Sequence, residues 1–243
     1  MADTSRHELI AALPYARRFA RALAGDQAQG DRLVAGALKD FLAAEKSDLP
    51  PRLALYGKLV QEFSKENADR PDMTLVQRAL MLLTSLEEQS LSSAARALSI
   101  TEEDAAANLA VARQALQGIA QTTVLIIEDE PIIAMDIQDL VERCGHKIAG
   151  VAYTEADAVK LAAETKPGLI LADINLGGGG DGMHAVGRIL KTHDTPVIFV
   201  TAYPERLLTG EAHEPSFVIT KPFEPMALAV ATYQAVTGGI KSV

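Results

Sequence analysis

Acidic, hydroxyl and ammonium side chains follow short apolar runs in the C-terminal half of the sequence. An acidic pair, Glu128 and Asp129, follows one such run, and Asp173 ends another. Thr201 and Lys221 come at the ends of two later runs. If these runs are parallel strands of one sheet, their carboxyl ends share an edge, which is where open parallel sheets bind ligands. The sequence therefore predicts that three carboxylates, a hydroxyl and an ammonium group converge at one edge.

The predicted convergence indicates phosphoryl chemistry with a metal ion. Closely spaced carboxylates repel one another unless a cation lies between them, and a site of oxygen ligands alone suits Mg²⁺. One carboxylate can then attack a phosphoryl group while an ammonium group and a hydroxyl offset charge on the phosphate oxygens. We assign the attack to Asp173, on the central run, and the supporting roles to Lys221 and Thr201. Each residue alone is more simply explained as a helix cap or a solvated side chain, so the prediction depends on their joint order.

The elements that must position these groups follow from the hydrophobic pattern after Thr122. Strands are predicted at residues 124–127, 148–152, 169–172, 197–200 and 217–219. Helices are predicted at residues 131–143, 155–164, 182–192, 204–209 and 224–236. Five alternations of strand and helix predict a parallel five-stranded sheet with helices on both faces.

The first 118 residues show helical periodicity without a credible strand. Breaks fall at Gly25-Asp26, at residues 47–51 and at residues 69–72. Residues 72–117 predict three helices, the first capped by Asp72 and the last opened by Thr101. The predicted apolar face of the first consists of Val76, Ala79, Leu80, Leu83 and Leu86, and that of the last of Ala105, Leu109, Ala112 and Leu116. This layout is typical of a helix-turn-helix.

Charge argues against nucleic-acid binding by this helix-turn-helix. The chain has 23 Lys and Arg against 32 Asp and Glu, a net charge of -9. Residues 1–120 carry 14 and 16 of these, and residues 121–243 carry 9 and 16, so neither half is basic. The last helix has Arg113 against an acidic first turn, Glu102-Glu103-Asp104. Phosphate contacts supply most DNA affinity, so no direct DNA binding is expected.

Other classes of protein are excluded by composition. The single cysteine, Cys144, excludes an internal disulfide and a cysteine-rich zinc site. No apolar run approaches the roughly 18 residues of a membrane span, and the N-terminus lacks the regions of a signal peptide. From these features we expect a cytoplasmic protein that has no membrane partner.

The C-terminal half resembles the receiver domain of two-component response regulators. The matching segments are VLIIEDEP (124–131), LILADINL (169–176), FVTAY (199–203) and ITKPF (219–223). The resemblance implies a flavodoxin-like (βα)5 receiver over residues 122–243 with Asp173 as the phosphoacceptor. It implies that Mg²⁺ is held by Glu128, Asp129, Asp173 and the backbone carbonyl of Asn175. It gives Thr201 and Lys221 the switch and phosphate-binding roles and implies a cis Lys221–Pro222 peptide.

One position departs from the receiver pattern. Receivers usually carry an aromatic switch residue three positions before the lysine, and Val218 occupies that position here. Tyr203, two residues after Thr201, is the aromatic side chain expected to take over the coupling. The loop after Asp173 also contains a longer glycine run than usual, at residues 177–180.

The helical half resembles extracytoplasmic-function sigma factors. Residues 13–43 resemble their region 2, and residues 85–116 resemble their region 4. We therefore expect an all-α sigma-like domain over residues 1–119. Its region 2-like part would span about residues 1–62, and its region 4-like part about residues 70–118.

A sigma-like domain followed by a receiver resembles PhyR-type response regulators, anti-anti-sigma factors of the alphaproteobacterial general stress response. The resemblance implies that the unphosphorylated receiver docks on the sigma-like domain. A sensor histidine kinase or phosphotransfer protein would phosphorylate Asp173. The released sigma-like domain would sequester an anti-sigma factor of the NepR type, which frees a sigma factor for transcription.

Two other functions are compatible with some of these residues. The first is a DNA-binding regulator or a genuine sigma factor under receiver control. The acidic net charge and the acidic first turn of the last helix argue against it. The second is a phosphatase of the haloacid-dehalogenase type, which also uses an Asp nucleophile with Mg²⁺. The pattern of such phosphatases has the nucleophile on the first strand and an acidic residue two positions later. Here the nucleophile follows the third strand and the later residue is Asn175, which cannot protonate a leaving group. We therefore expect that the protein is not an enzyme that turns over external substrates.

Overall fold

The chain folds into two units of different class. The computed structural model describes residues 2–44, 48–65, 73–116, 121–177, 180–202 and 217–237. The described residues form one compact unit before residues 117–120 and a second after them. The first is entirely helical in its described part, and the second is α/β. Among the described helices, none combines the length and apolar character that a membrane crossing requires.

The first unit is built from six described helices. They are α1 (Ala2–Ala24), α2 (Gln27–Ala43), α3 (Pro51–Ser64), α4 (Leu75–Ser85), α5 (Leu91–Leu98) and α6 (Glu102–Leu116). Gly25, at φ 77°, stands between α1 and α2, because a left-handed residue is best supplied by glycine. Asp26 then caps α2 by accepting a hydrogen bond from Gln29 N at 2.6 Å. The predicted break at Gly25-Asp26 is confirmed.

The helix predicted to follow Asp72 begins at Leu75 instead. Thr74 caps it through a capping box, in which Thr74 Oγ1 accepts from Gln77 N at 3.3 Å and Gln77 Oε1 accepts from Thr74 N at 3.0 Å. Asp72 itself lies outside the described residues. Thr101 caps α6, as expected, by accepting from Asp104 N at 3.0 Å.

The buried faces of α4 and α6 follow the predicted spacing. Four of the five apolar residues expected on the first face are buried, and Val76 is half-buried; the buried ones are Ala79, Leu80, Leu83 and Leu86. All four residues expected on the last face are buried, namely Ala105, Leu109, Ala112 and Leu116. These faces form the core that joins α4, α5 and α6.

The second unit is a parallel sheet with helices between its strands. Its elements are β1 (Thr123–Ile127), α7 (Pro131–Arg143), β2 (Lys147–Ala152), α8 (Glu155–Thr165), β3 (Leu169–Asp173), β4 (Asn175–Leu176), β5 (Gly180–Asp181), α9 (Gly182–Ile189), β6 (Val197–Thr201), β7 (Phe217–Thr220) and α10 (Pro225–Thr237). The five-stranded sheet has the order β2-β1-β3-β6-β7 and is parallel throughout. The predicted fold class is confirmed, and β3 is the central strand.

Three details of this unit differ from the prediction or lie beyond it. The segment after Asp173, with its glycine run, was expected to be a loop, but residues 175–176 and 180–181 form a two-stranded antiparallel hairpin, β4–β5, and Gly180 of the run lies in its second strand. The buried side chain of Leu176 anchors the hairpin. Helix α9 ends at Ile189, earlier than predicted. The helix predicted at residues 204–209 lies outside the described residues.

Candidate functional site

Three carboxylates meet at the carboxyl edge of the sheet. Glu128 and Asp129 directly follow β1, and Asp173 ends the neighbouring strand β3. One carboxylate oxygen from each of the three lies within 4.8 Å of the others. Glu128 is held in place by its backbone N–H, which donates to Ala152 O at 3.0 Å. The parallel register of adjacent strands therefore brings the acidic residues together, as the sequence indicated.

Lys221 lies between two of these acids. Its Nζ donates to Glu128 Oε2 and to Asp173 Oδ2, both at 2.7 Å. Its backbone N–H donates to Thr201 O at 2.8 Å, which joins the ends of β7 and β6. The Lys221–Pro222 peptide is cis, as expected. The ammonium group of Lys221 thus links the carboxyl ends of β1, β3 and β7 at one point.

Burial and charge shift the pKa of both partners of this ion pair. Burial raises the pKa of Glu128, and the nearby negative charge of Asp173 adds to this shift. The hydrogen bond from Lys221 lowers the pKa but does not cancel the effect of burial, so the net pKa is raised. Burial lowers the pKa of Lys221, but hydrogen bonds to Asp173 and Glu128 outweigh it, so the net pKa is raised. Lys221 is therefore held in its charged form beside the acids.

Asp173 is held by both of its carboxylate oxygens. Oδ1 accepts from Ile174 N at 2.6 Å and from Asn175 N at 3.3 Å. Oδ2 accepts from Lys221 Nζ. A carboxylate fixed in this way has its attacking lone pairs aimed in one direction, so little orientational freedom is lost in a reaction.

The three acids suit a hard divalent cation. Their donor atoms are all carboxylate oxygens, which Mg²⁺ prefers in proteins. When all three are ionised, the single ammonium group of Lys221 leaves two negative charges uncompensated, which is the charge of one divalent ion. Glu128, Asp129 and Asp173 therefore form a candidate metal site. Asn175 lies on β4, two residues after Asp173, and its backbone N–H already contacts that carboxylate.

Asp129 is tied to the hairpin that follows the central strand. Its Oδ2 accepts a hydrogen bond from Gly177 N at 2.8 Å. A Cβ atom at Gly177 would lie 2.5 Å from the same oxygen. A side chain at position 177 would therefore push the Asp129 carboxylate aside, so glycine favours this close approach.

Thr201, Tyr203 and Lys221 were predicted to carry the switch, with Val218 at the position where receivers usually have an aromatic residue. Thr201 ends β6 with its side chain buried at the site edge. Val218 is buried within β7, paired in register with Phe199, so it belongs to the core of the sheet. Tyr203 lies outside the described residues.

Sequence reasoning missed the two glycines that fit the backbone around the acids, Gly177 and Gly182. A signal for the second was present, because Asp181 precedes it and caps α9, accepting from Met183 N at 2.7 Å and His184 N at 3.3 Å. An Asp-Gly pair before an apolar run is a helix-start signature. The sequence carried no comparable signal for the contact of Gly177 with Asp129, which are 48 residues apart.

Gly182→Ala is expected to disturb the Asp173 backbone. Gly182 N donates to Ile174 O at 2.8 Å, and a Cβ atom at Gly182 would lie 1.8 Å from Asp173 O. The backbone must move to relieve this overlap, so we expect the free energy of unfolding to fall by about 1–3 kcal/mol or more. Mg²⁺ affinity should fall with it. Urea unfolding and isothermal titration calorimetry measure the two effects.

Gly187→Ala is the matched control on the same helix. A Cβ atom at Gly187 would meet nothing within 4 Å. Because alanine favours helix, this variant should gain up to about 1 kcal/mol of unfolding free energy and keep wild-type Mg²⁺ affinity. Equal effects of the two substitutions would contradict a special role for Gly182.

Two family models match the chain. The model of the response regulator receiver domain matches residues 124–233, which contain the acidic site. The model of the sigma2 domain of PhyR matches residues 9–59, which contain α2 and most of α1 and α3.

Similar proteins match both units together. The phyllosphere-induced regulator PhyR of Methylorubrum extorquens is 42% identical, over 92% of this chain and 91% of its own length. The crystal structure of the response regulator PhyR from Brucella abortus has a TM-score of 0.87 at 37% identity, covering 96% of this chain and 94% of its own. The anti-anti-sigma factor PhyR from Bartonella quintana has a TM-score of 0.87 at 36% identity, covering 96% of each chain. The Bartonella quintana protein has also been crystallised with the anti-sigma factor NepR.

Proposed function

Because the chain belongs to the PhyR family of response regulators, whose members are anti-anti-sigma factors, we propose that Asp173 is the phosphoacceptor that gates its binding to an anti-sigma factor. The partner is of the NepR type, and the phosphoryl donor is a sensor histidine kinase or a phosphotransfer protein. We assign the sigma-like role to residues 1–119 and the receiver role to residues 122–243.

One observation carries the assignment of the reactive residue. Asp173 ends the central strand with one oxygen held by backbone amides and the other by Lys221, and the acidic pair lies within 4.8 Å. An Asp173 oxygen forms a bond to phosphorus while the bond between phosphorus and the donor nitrogen breaks. The electron pair of that bond stays on the nitrogen.

The residues around Asp173 supply the charge compensation that this transfer needs. Glu128, Asp129, Asp173 and the backbone carbonyl of Asn175 would hold Mg²⁺, which neutralises negative charge on the phosphoryl oxygens when bound. Lys221 remains charged, and its ammonium group moves from the Asp173 carboxylate to the phosphoryl oxygens as the new oxygen–phosphorus bond forms. Thr201 donates its hydroxyl to one of the same oxygens, and Tyr203 serves with it in the switch.

Phosphorylation changes the charge at this edge of the receiver. An acyl phosphate carries about 1.5 to 2 negative charges at neutral pH and replaces the single charge of the Asp173 carboxylate, so this edge gains up to about one negative charge. We propose that this charge releases a masked binding surface on the sigma-like unit, which then sequesters the anti-sigma factor. Moving such a switch from mostly closed to mostly open takes roughly 5.5 kcal/mol of differential stabilisation. Partner binding contributes part of that, so partner and phosphate stabilise each other reciprocally.

The competing functions fit these residues less well. The regulator role is not an enzymatic one, and the residue two positions after Asp173 is Asn175, which supplies no acid for turnover of an external substrate. DNA reading would place the start of α6 against phosphates, but Glu102, Glu103 and Asp104 there are all exposed acids. Those charges oppose a nucleic-acid partner.

Binding to a purified NepR-type anti-sigma factor tests the proposal directly. With the full chain, Mg²⁺ and beryllofluoride as a phosphoryl mimic, we expect calorimetry to show an affinity at least about tenfold higher than without the mimic. Promoter DNA and core RNA polymerase should show no salt-dependent binding in either state. Equal anti-sigma affinity in both states would contradict gating, and salt-sensitive DNA binding would establish a working sigma module.

A further inference from the structure

A buried polar cluster lies inside the helical unit and shares no residue with the acidic site. We define the Glu87 cluster as Arg18, Arg52, Tyr56 and Glu87. Glu87 is 1% exposed and Arg18 is 5% exposed. Arg18 Nε donates to Glu87 Oε1 at 2.7 Å, and Arg18 Nη2 donates to Glu87 Oε2 at 3.0 Å, which makes a bidentate pair.

Two groups on α3 complete the coordination of the same carboxylate. The Tyr56 hydroxyl donates to Glu87 Oε2 at 2.6 Å, and Arg52 Nη2 donates to it at 3.1 Å. Burial, followed by the Glu87 charge, raises the pKa of Tyr56, so its hydroxyl stays protonated and remains a donor. Tyr15 closes the cluster on the other side, with the Arg52 guanidinium 3.8 Å from the centroid of its ring.

The Glu87 cluster spans two parts of the sigma-like unit. Arg18 is on α1, and Arg52 and Tyr56 are on α3, all within the region 2-like part. Glu87 follows α4, within the region 4-like part. The backbone joins the same contact, because Arg18 Nη2 donates to Leu86 O at 2.9 Å. A single carboxylate therefore joins α1, α3 and the end of α4.

Two further contacts tie the same parts together. Arg78 on α4 donates to Leu23 O, near the end of α1, at 2.6 Å. Its guanidinium also lies 5.5 Å from the ring centroid of Phe63 on α3. A Cβ atom at Gly57 on α3 would lie 2.2 Å from Ala97 O on α5, so the two helices approach with no side chain between them. The two parts are packed as one body.

Removing the negative charge of Glu87 would leave the buried guanidinium of Arg18 without its counter-charge. Removing one partner of a buried, hydrogen-bonded ion pair is strongly unfavourable because the remaining charge has lost both water and its counter-charge. A partner that binds across both parts gains affinity when they are already assembled, since no ordering is required at that moment. The apparent affinity falls in proportion to the assembled fraction.

We propose that the Glu87 cluster locks the region 2-like and region 4-like parts into one rigid body, and that this lock raises the affinity of the sigma-like unit for the anti-sigma factor. The effect on the anti-sigma factor rests on the proposed function, whereas the lock is a property of the helical unit alone. Glu87 acts as a positioning residue: it is buried, so it affects partner binding only by fixing how the two parts of the unit lie against each other.

The test compares two adjacent substitutions in the full chain, Glu87→Gln and Glu88→Gln. Both remove one negative charge, but Glu88 is exposed and lies outside the cluster. Spin labels at the exposed positions Arg32 on α2 and Gln114 on α6, in a Cys144→Ser background, report the distance between the two parts. Anti-sigma affinity is measured by calorimetry with Mg²⁺ and beryllofluoride.

We expect the wild type and Glu88→Gln to share one narrow distance distribution and one affinity. Glu87→Gln should broaden the distribution and weaken anti-sigma binding by about tenfold or more. Tyr56→Phe removes one hydrogen bond to Glu87 without removing charge and should give an intermediate effect. If circular dichroism shows that Glu87→Gln loses its helices, Tyr56→Phe carries the same comparison.

Each other outcome overturns a defined part of the inference. A narrow distribution in Glu87→Gln overturns the lock, whatever happens to affinity. A broad distribution with wild-type affinity overturns the effect of the lock on anti-sigma binding. If the wild type itself fails to bind the anti-sigma factor, the proposed function is contradicted, and the distance distributions still decide the lock.

Discussion

Asp173→Ala is expected to abolish phosphoryl uptake and, with it, phosphorylation-dependent binding of the anti-sigma factor. The substitution removes the attacking oxygen, and no carboxylate replaces it at the end of the central strand. The fold should survive because Lys221 keeps its hydrogen bond to Glu128 at 2.7 Å. The measurements are radiolabel transfer from the phosphorylated donor, which should fall to background, and partner affinity with and without that donor.

The matched control for this prediction is Asp136→Ala on α7. Asp136 is exposed, and alanine is a good helix former, so labelling and gating should stay at wild-type levels. Constitutive anti-sigma binding in Asp173→Ala would contradict the scheme, because it would show that the acid represses binding without accepting phosphate. Residual labelling would identify another phosphoacceptor.

Lys221→Ala is expected to permit phosphoryl entry but to couple it poorly to partner binding. The ammonium group contacts both Glu128 and Asp173, and Lys221 N contacts Thr201 O, so its loss separates the phosphoryl group from the ends of β6 and β7. The substitution also leaves the fully buried Glu128 without this counter-charge. We expect the free energy of unfolding without Mg²⁺ to fall by up to about 3 kcal/mol.

Magnesium separates the two effects of this substitution. If the acids form a metal site, Mg²⁺ should restore more unfolding free energy to Lys221→Ala than to the wild type, because it replaces the missing positive charge. Coupling should not be restored. Urea unfolding with and without Mg²⁺, together with anti-sigma affinity under beryllofluoride, measures both. Lys160→Ala, an exposed lysine on α8, is the control, and wild-type gating in Lys221→Ala would remove Lys221 from the mechanism.

The fold could be predicted from the sequence because its signals are local. A strand or helix is marked by the period of its apolar residues, and a parallel sheet follows from their alternation. The hairpin β4–β5 escaped prediction because its strands contain two residues each. Strands that short show no periodicity, and pairing of Leu176 with Gly180 depends on burial of the leucine against the unit.

The sequence by itself determined the structural class of both units and which polar residues follow each successive strand. Its motifs also indicated the family. Polar residues at strand ends can be assigned to one edge without coordinates, because parallel strands all point the same way. Tertiary structure alone decided which groups touch: Lys221 with both acids, Gly177 with Asp129, and Glu87 with Arg18, 69 residues away. Such contacts depend on how helices and strands pack, and a buried charge is recognisable only when the surface that buries it is known. The acidic site could therefore be predicted from the amino-acid sequence, whereas the Glu87 cluster could not.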